Sequence, residues 1–185
     1  MTWDRLAEYL DLEKAATEKE VFVINRSFDT PIETMFDMWT KPEHFAQWLA
    51  PTGFTIAFGR ADIRTGGESF YSMTNGAMTM YGGVQYHDVH RSDLLVHTQW
   101  FADEHENVSR HPASPTWPAK MLTTVLLASE GPAQTRVTVR WSVADDTTAA
   151  EIATFAAAKA GMTQGWTGSF DKLDDVLLTS PTVQL

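Results

Sequence analysis

The stretch from Asp146 to Leu178 constrains this chain most, because it reads as one long helix with a single apolar stripe. Thr148 is placed to cap its start, with Glu151 three residues on as the reciprocal partner of a capping box. Ile152, Phe155, Met162, Trp166, Phe170, Leu173 and Leu177 then recur at helical spacing. Apart from two short helices and the N-terminal tail, everything upstream reads as β-strand. A lone amphipathic helix after a run of strands must bury its stripe against the sheet those strands make. Phe155, Met162 and Trp166 are bulky enough to fill a concave sheet or to wall a cavity in one.

Two details on this helix bear on function. Lys159 falls on the stripe, one turn from Phe155 and Met162. Its amine either meets an acidic ligand group in a cavity or, in the commoner case, reaches water while its stem packs. Gly161, Gly165 and Gly168 are expected on the other side. Each costs about 1 kcal/mol relative to alanine inside a helix. That cost points to a close approach to the backbone there, or to a locally bent helix.

Composition narrows the function classes. At 185 residues the chain suits one domain with a substantial core. Cysteine is absent, which excludes disulfides, thiolate metal sites and a cysteine nucleophile. A net charge of −10 argues against nucleic-acid binding, which needs clustered Lys and Arg. It also disfavours an anionic membrane surface, and no apolar run approaches the ~20 residues of a membrane span. Met1-Thr2-Trp3-Asp4 lacks the basic and apolar regions of a signal peptide, so a cytoplasmic location is the expectation. Seven tryptophans and ten phenylalanines favour a large aromatic core or an aromatic-lined pocket.

In chain order, residues 2–17 read as a short amphipathic helix with Trp3, Leu6, Ala7 and Leu10 on one face. That helix is expected to dock on the glycine-rich back of the C-terminal helix or on a second subunit, or to be a mobile extension. Glu20 to Phe28 is a strand. A helix follows, with Thr30 as cap, Pro31 in the first position and Glu33 completing the box. After Lys41-Pro42 a second short helix carries Phe45, Trp48 and Leu49. From Phe54 to Val143 the pattern is β, punctuated by turn signals at Thr65-Gly66-Gly67 and Thr74-Asn75-Gly76. Ala102 to Pro118 is a long polar loop. In the last strand Val137, Val139, Trp141 and Val143 share one face; Arg136, Thr138, Arg140 and Ser142 share the other.

The stretches Phe28-Asp29-Thr30-Pro31 leading to Phe36 and Trp39, Lys41-Pro42-Glu43 before Gln47-Trp48, Asp62 to Gly67, Trp117-Pro118, and Gly165-Trp166 before Leu173 carry a likeness in their order and spacing. With them the chain resembles the SRPBCC or START-like superfamily, in the branch named for the activator of heat-shock-protein-90 ATPase. The likeness covers roughly residues 20–178. It implies an α+β helix-grip (START-like, Bet v-like) fold, a curved antiparallel β-sheet wrapped around a long C-terminal α-helix, with a hydrophobic cavity between them. Residues 1–19 would be an N-terminal helical extension and 20–180 the helix-grip domain. Relatives of this kind include lipid and polyketide binders, cyclases and co-chaperone domains, and fold does not choose among them.

A cavity is the default site for this architecture. Strand parity places Tyr86, Thr98, Trp100 and Trp141 on its sheet side; Trp39, Phe155, Met162 and Trp166 are expected from the helices. His87 and His97 lie on adjacent strands, yet two imidazoles make a poor metal site. His105 and His111 fall in an acidic loop, read as solvated. No metal and no cofactor are expected. No catalytic residue is assigned: there is no nucleophile elbow, phosphate loop or Ser-His-Asp spacing. Acid–base chemistry would need a polar group in the cavity, with Arg64, Tyr71, Gln99 and Arg140 as candidates; Arg64 reads as structural, Tyr71 and Arg140 as solvent-facing. The leading expectation is a module that binds a hydrophobic or aromatic small molecule, with no nucleic-acid or membrane partner. A cyclase or dehydratase using the same cavity is the first alternative and a co-chaperone-like interaction domain the second. The N-terminal amphipathic face is compatible with a homodimer.

Overall fold

The computed structural model describes residues 20–179, so the helix expected over residues 2–17 lies outside the described residues. The strands expected from alternation are β1 (Val21–Phe28), β2 (Thr55–Ala61), β3 (Glu68–Thr74), β4 (Thr79–His90), β5 (Leu94–Ala102), β6 (Lys120–Gly131) and β7 (Gln134–Val143). They form one antiparallel sheet in the order β1-β7-β6-β5-β4-β3-β2. The first strand therefore pairs with the last, from Val21 opposite Ser142 to Phe28 opposite Thr135. Helices α1 (Ile32–Thr40) and α2 (Pro42–Trp48) connect β1 to β2, the two edges of the sheet. The turns at Gly66 and Gly76 hold φ at +78° and +86°, the left-handed region that glycine enters without steric cost.

The C-terminal stretch is two helices: α3 (Ala149–Ala157) and α4 (Lys159–Thr179). The capping box forms as expected, with both the Thr148 and Glu151 side chains engaged. The helix breaks at Ala158, whose N–H bonds to the carbonyls of both Phe155 and Thr154. The break falls between Phe155 and Met162, where the stripe has only small residues and a lysine and nothing large holds the turn to the sheet. On either side of it the stripe is buried: Phe155, Phe170 and Leu173 are sealed against Val125, Val137 and Val139 of the sheet.

The cap expected at Thr30 does not form. Pro31 takes the N-cap position with no side-chain bond, while Thr30 is buried and its carbonyl accepts the Thr135 hydroxyl at 2.8 Å. Lys159 does not enter a cavity; its amine pairs with Glu20 at the start of the sheet. The three glycines divide. A Cβ at Gly168 would stand 2.7 Å from Thr52 Oγ1, which is the close approach expected of it. At Gly161 and Gly165 a Cβ would meet nothing within 4 Å. These two face the cavity and not the far side of the helix.

Candidate functional site

A cavity of about 640 Å³ lies between the sheet, α1–α2, the 103–119 loop and the start of α4. The register explains its floor. Tyr86, His97, Thr123 and Trp141 stand directly opposite one another on β4, β5, β6 and β7 and line it together. The neighbouring row, Val84, Gln99 and Met121, lines it too. Residues directly opposite in an antiparallel sheet share a face, so these rows define the concave side. Farther along β4, Gly82 and Gly83 admit rings where side chains would collide. A Cβ at Gly82 would come within 2.3 Å of the Tyr71 ring, and one at Gly83 within 2.4 Å of the Trp100 indole. Strand glycines of this kind mark a close approach.

The helix side is an aromatic cluster. Trp39 stacks on Trp166 with centroids 6.1 Å apart and meets Trp48 edge-on at 4.7 Å. Trp141 meets Trp166 at 5.6 Å, joining sheet to helix. Phe45 stacks on Phe58, and Phe58 meets Tyr71, closing the wall toward β2 and β3. The Trp48 indole N–H donates to the Met38 carbonyl at 3.0 Å, which fixes the angle between α1 and α2.

Of the eight residues expected at the cavity, Trp39, Tyr86, Trp100, Trp141, Met162 and Trp166 line it. Thr98 does not: it sits in the row of Gln85 and Leu122, alternating with that of His97, and its hydroxyl pairs with His87 Nε2 at 2.7 Å. Phe155 does not either, being sealed in the core. Trp100 occupies the Gly83–Lys120 row and reaches the cavity although it alternates with Gln99. Tyr71, expected toward solvent, lines the wall. Arg140, also expected toward solvent, is only 5% exposed, opposite Val23 and Thr124. Arg64 is exposed and pairs with Asp62 beside the glycine turn.

The two histidines on adjacent strands part company. The pairing shifts between Tyr86 and Asp88, leaving His87 exposed, while His97 is buried on the floor with the Tyr86 ring 5.6 Å away. Burial lowers the His97 pKa to about 4; a side-chain hydrogen bond with Gln99 opposes that shift and His87 adds to it. The ring is therefore neutral near pH 7. Burial raises both Tyr71 and Tyr86 to about 12, so both keep their protons. The Tyr86 hydroxyl lies 3.2 Å from Ser69 Oγ. His111, from the acidic loop, packs on Phe101 with centroids 4.8 Å apart and lines the cavity. Among the described residues no group of three His, Asp or Glu side chains could hold a metal ion.

Two properties of the wall follow. No Asp, Glu, Lys or Arg lines it among the described residues. And among the described residues the buried side-chain polar atoms that lack a hydrogen-bond partner all belong to it: Nε1 of Trp39, Trp100, Trp117, Trp141 and Trp166, Nδ1 of His97, and Oγ1 of Thr123.

Residues 29–178 match the family described as activator of Hsp90 ATPase homolog 1-like protein. The chain belongs to that family. Solved structures share its fold. A protein from Arthrobacter aurescens superposes with a TM-score of 0.72 at 22% identity, covering 91% of this chain and 94% of its own. The Mycobacterium smegmatis protein Ms6760 gives 0.70 at 18% identity, covering 90% and 94%. The AHSA1 protein from Silicibacter pomeroyi gives 0.65 at 17% identity, covering 86% and 98%. No curated protein matches the sequence. The curved antiparallel sheet and long C-terminal helix are the helix-grip arrangement of these family neighbours. No helix among the described residues is long and apolar enough to cross a membrane.

Proposed function

We propose that this activator-of-Hsp90-ATPase-like domain binds a hydrophobic or aromatic small molecule between the sheet and α4. The observation that carries the reading is the cavity itself: about 640 Å³, walled by tryptophan, phenylalanine, tyrosine and methionine side chains. That volume lies within the range of roughly 300–1,000 Å³ typical of small-molecule sites. Gly161 and Gly165 support it, since each gives up helix stability and leaves open space where a side chain would stand. The test is a titration with the uncharged dye N-phenyl-1-naphthylamine, read by its emission and by tryptophan quenching. One dye per chain is expected, with binding abolished in Gly161→Trp, which plugs the cavity from α4, while circular dichroism stays unchanged. Absence of dye binding, or equal binding by the variant, would sink the reading.

A second reading, a cyclase or dehydratase working in the same cavity, is favoured by one observation. His97, a neutral imidazole able to accept a proton, lines the wall together with the protonated hydroxyl of Tyr71.

A further inference from the structure

We infer that the cavity selects uncharged, planar aromatic molecules bearing hydrogen-bond acceptors, held by the row of His97, Thr123 and Trp141, and discriminates against carboxylates of the same size. The inference rests on the ligand-binding reading above and names the ligand chemistry of that site.

The first ground is electrostatic. A carboxylate or phosphate taken into an apolar cavity needs a cation or a dense set of donors, because an unpaired buried charge is strongly penalised. The wall has no Lys or Arg among the described residues. Its most buried histidine is held neutral and supplies no charge at pH 7. Three basic side chains on the elements around the cavity are committed elsewhere: Lys172 donates to the carbonyls of Ala50 and Pro51, Arg110 pairs with Glu151, and Lys159 pairs with Glu20.

The second ground is hydrogen bonding. His97, Thr123 and Trp141 stand opposite one another on three consecutive strands of the floor. Each has a buried polar atom without a partner: Nδ1, Oγ1 and Nε1. His97 is 9% exposed and Thr123 2%. Buried polar groups in native proteins are nearly always paired, and an orphan asks for an explanation. The Thr123 hydroxyl and the Trp141 indole N–H are explained together by a ligand that supplies acceptors, and the neutral His97 ring donates or accepts at Nδ1 according to its tautomer. Trp166 and Trp39, each with an unpartnered indole N–H, face the row from the helix side. These atoms are covered from water in the structure, and we infer that the ligand draws them into the cavity by side-chain rotation. Met73, Met80, Met121 and Met162 are the adaptable part of the wall that permits it. The stacked and edge-on indoles favour a flat aromatic body over a flexible acyl chain.

The experiment is displacement of N-phenyl-1-naphthylamine by three molecules on one tricyclic frame: anthracene, 9,10-anthraquinone and anthraquinone-2-carboxylate. Anthraquinone is expected to displace the dye at about tenfold lower concentration than either of the others, the effect of one or two net hydrogen bonds. Thr123→Val removes the hydroxyl at nearly constant size and should narrow the gap between anthraquinone and anthracene severalfold. Trp141→Phe is the second variant, with the same expectation, should the first fail to fold. In the wild type the indole N–H resonance of Trp141 should shift with anthraquinone and less with anthracene. Equal displacement by anthracene and anthraquinone would overturn the hydrogen-bonding row and leave the cavity reading standing. Equal or better displacement by the carboxylate would overturn the selection against anions. Dye binding with no displacement by any of the three would overturn the planar aromatic preference. No dye binding at all would overturn the cavity reading and this inference with it.

Discussion

His97 shows how a single residue sets the chemistry of the site. Its environment favours the neutral ring: desolvation dominates, so the folded pKa falls to about 4 from 6.5. Between those values the unfolded chain binds a proton that the folded chain refuses. Stability is therefore fully present above about pH 6.5 and declines as pH falls toward 4, by on the order of 3 kcal/mol across the window. His97→Gln removes the titration and keeps a polar neutral side chain. Urea midpoints measured from pH 7 to pH 4 should fall more steeply for wild type than for the variant; parallel curves would mean that His97 is not buried as a neutral ring. The sequence pointed away from this placement. In β5 the apolar residues Leu94, Leu95, Val96, Trp100 and Phe101 occupy both parities, so alternation alone does not say which face is inward. Reading the even positions inward gives Thr98 and Trp100. The register puts His97 and Gln99 there and turns Thr98 away, while Trp100 reaches the cavity from the alternate row. Gly82-Gly83 inside a strand is a legible signal of rings lying against β4, and those rings are Tyr71 and Trp100.

Among the elements, the 103–119 loop has a role its composition hides. It reads as a solvated acidic stretch, yet it supplies His111, Trp117 and Pro118 to the cavity wall. Three contacts tie it to α3. Arg110 pairs with Glu151 and also donates to the Trp117 carbonyl; the hydroxyls of Thr116 and Thr154 lie 2.8 Å apart; the rings of Trp117 and Phe155 are 6.0 Å apart. Glu151 thus serves two partners, closing the capping box of α3 and anchoring the loop. Hydrogen bonding from the Thr148 backbone, then from Arg110, lowers its pKa to about 2. Its contribution is present above the ordinary value near 4.5 and is lost as pH falls through about 2. Arg110→Ala keeps the cap and cuts the anchor. Amide exchange over residues 110–118 should accelerate severalfold at pH 7 and the neutral dye should exchange faster, with the exchange of β6 and β7 unchanged. Exchange unchanged in the loop would show that the Thr116 and Trp117 contacts suffice. The box itself was plain in the sequence, since Thr148 and Glu151 have the required spacing; Arg110 was not, because its partner lies 41 residues on.

At the scale of the whole molecule, the order of elements was legible because a long apolar stripe following alternating strands leaves few ways to bury both. The cavity's exact wall was not, because it depends on where side chains are missing as much as on where they stand. Gly161 and Gly165 read as the back of the helix when the stripe is drawn through Phe155 and Met162; in the structure they immediately precede Met162 and Trp166 in α4 and line the cavity beside them. This makes the domain a case in which stability is given up for space. Gly165 lies inside α4 at an ordinary helical φ, with nothing within 4 Å of a Cβ. Gly165→Ala should therefore recover about 1 kcal/mol of helix propensity, which for a chain of this size raises the melting temperature by roughly 2–4 °C. Gly168→Ala, where the helix packs against Thr52, should gain much less, because its Cβ would stand 2.7 Å from the Thr52 hydroxyl. The contrast isolates the cavity from helix propensity, which is the same at both positions. Equal gains would mean that Thr52 yields freely, and a loss at Gly165 would mean that side chains close over the space beside it. A gain at Gly165 together with weaker dye binding is the expected pair of results, since the added methyl enters the cavity in which we propose the ligand binds.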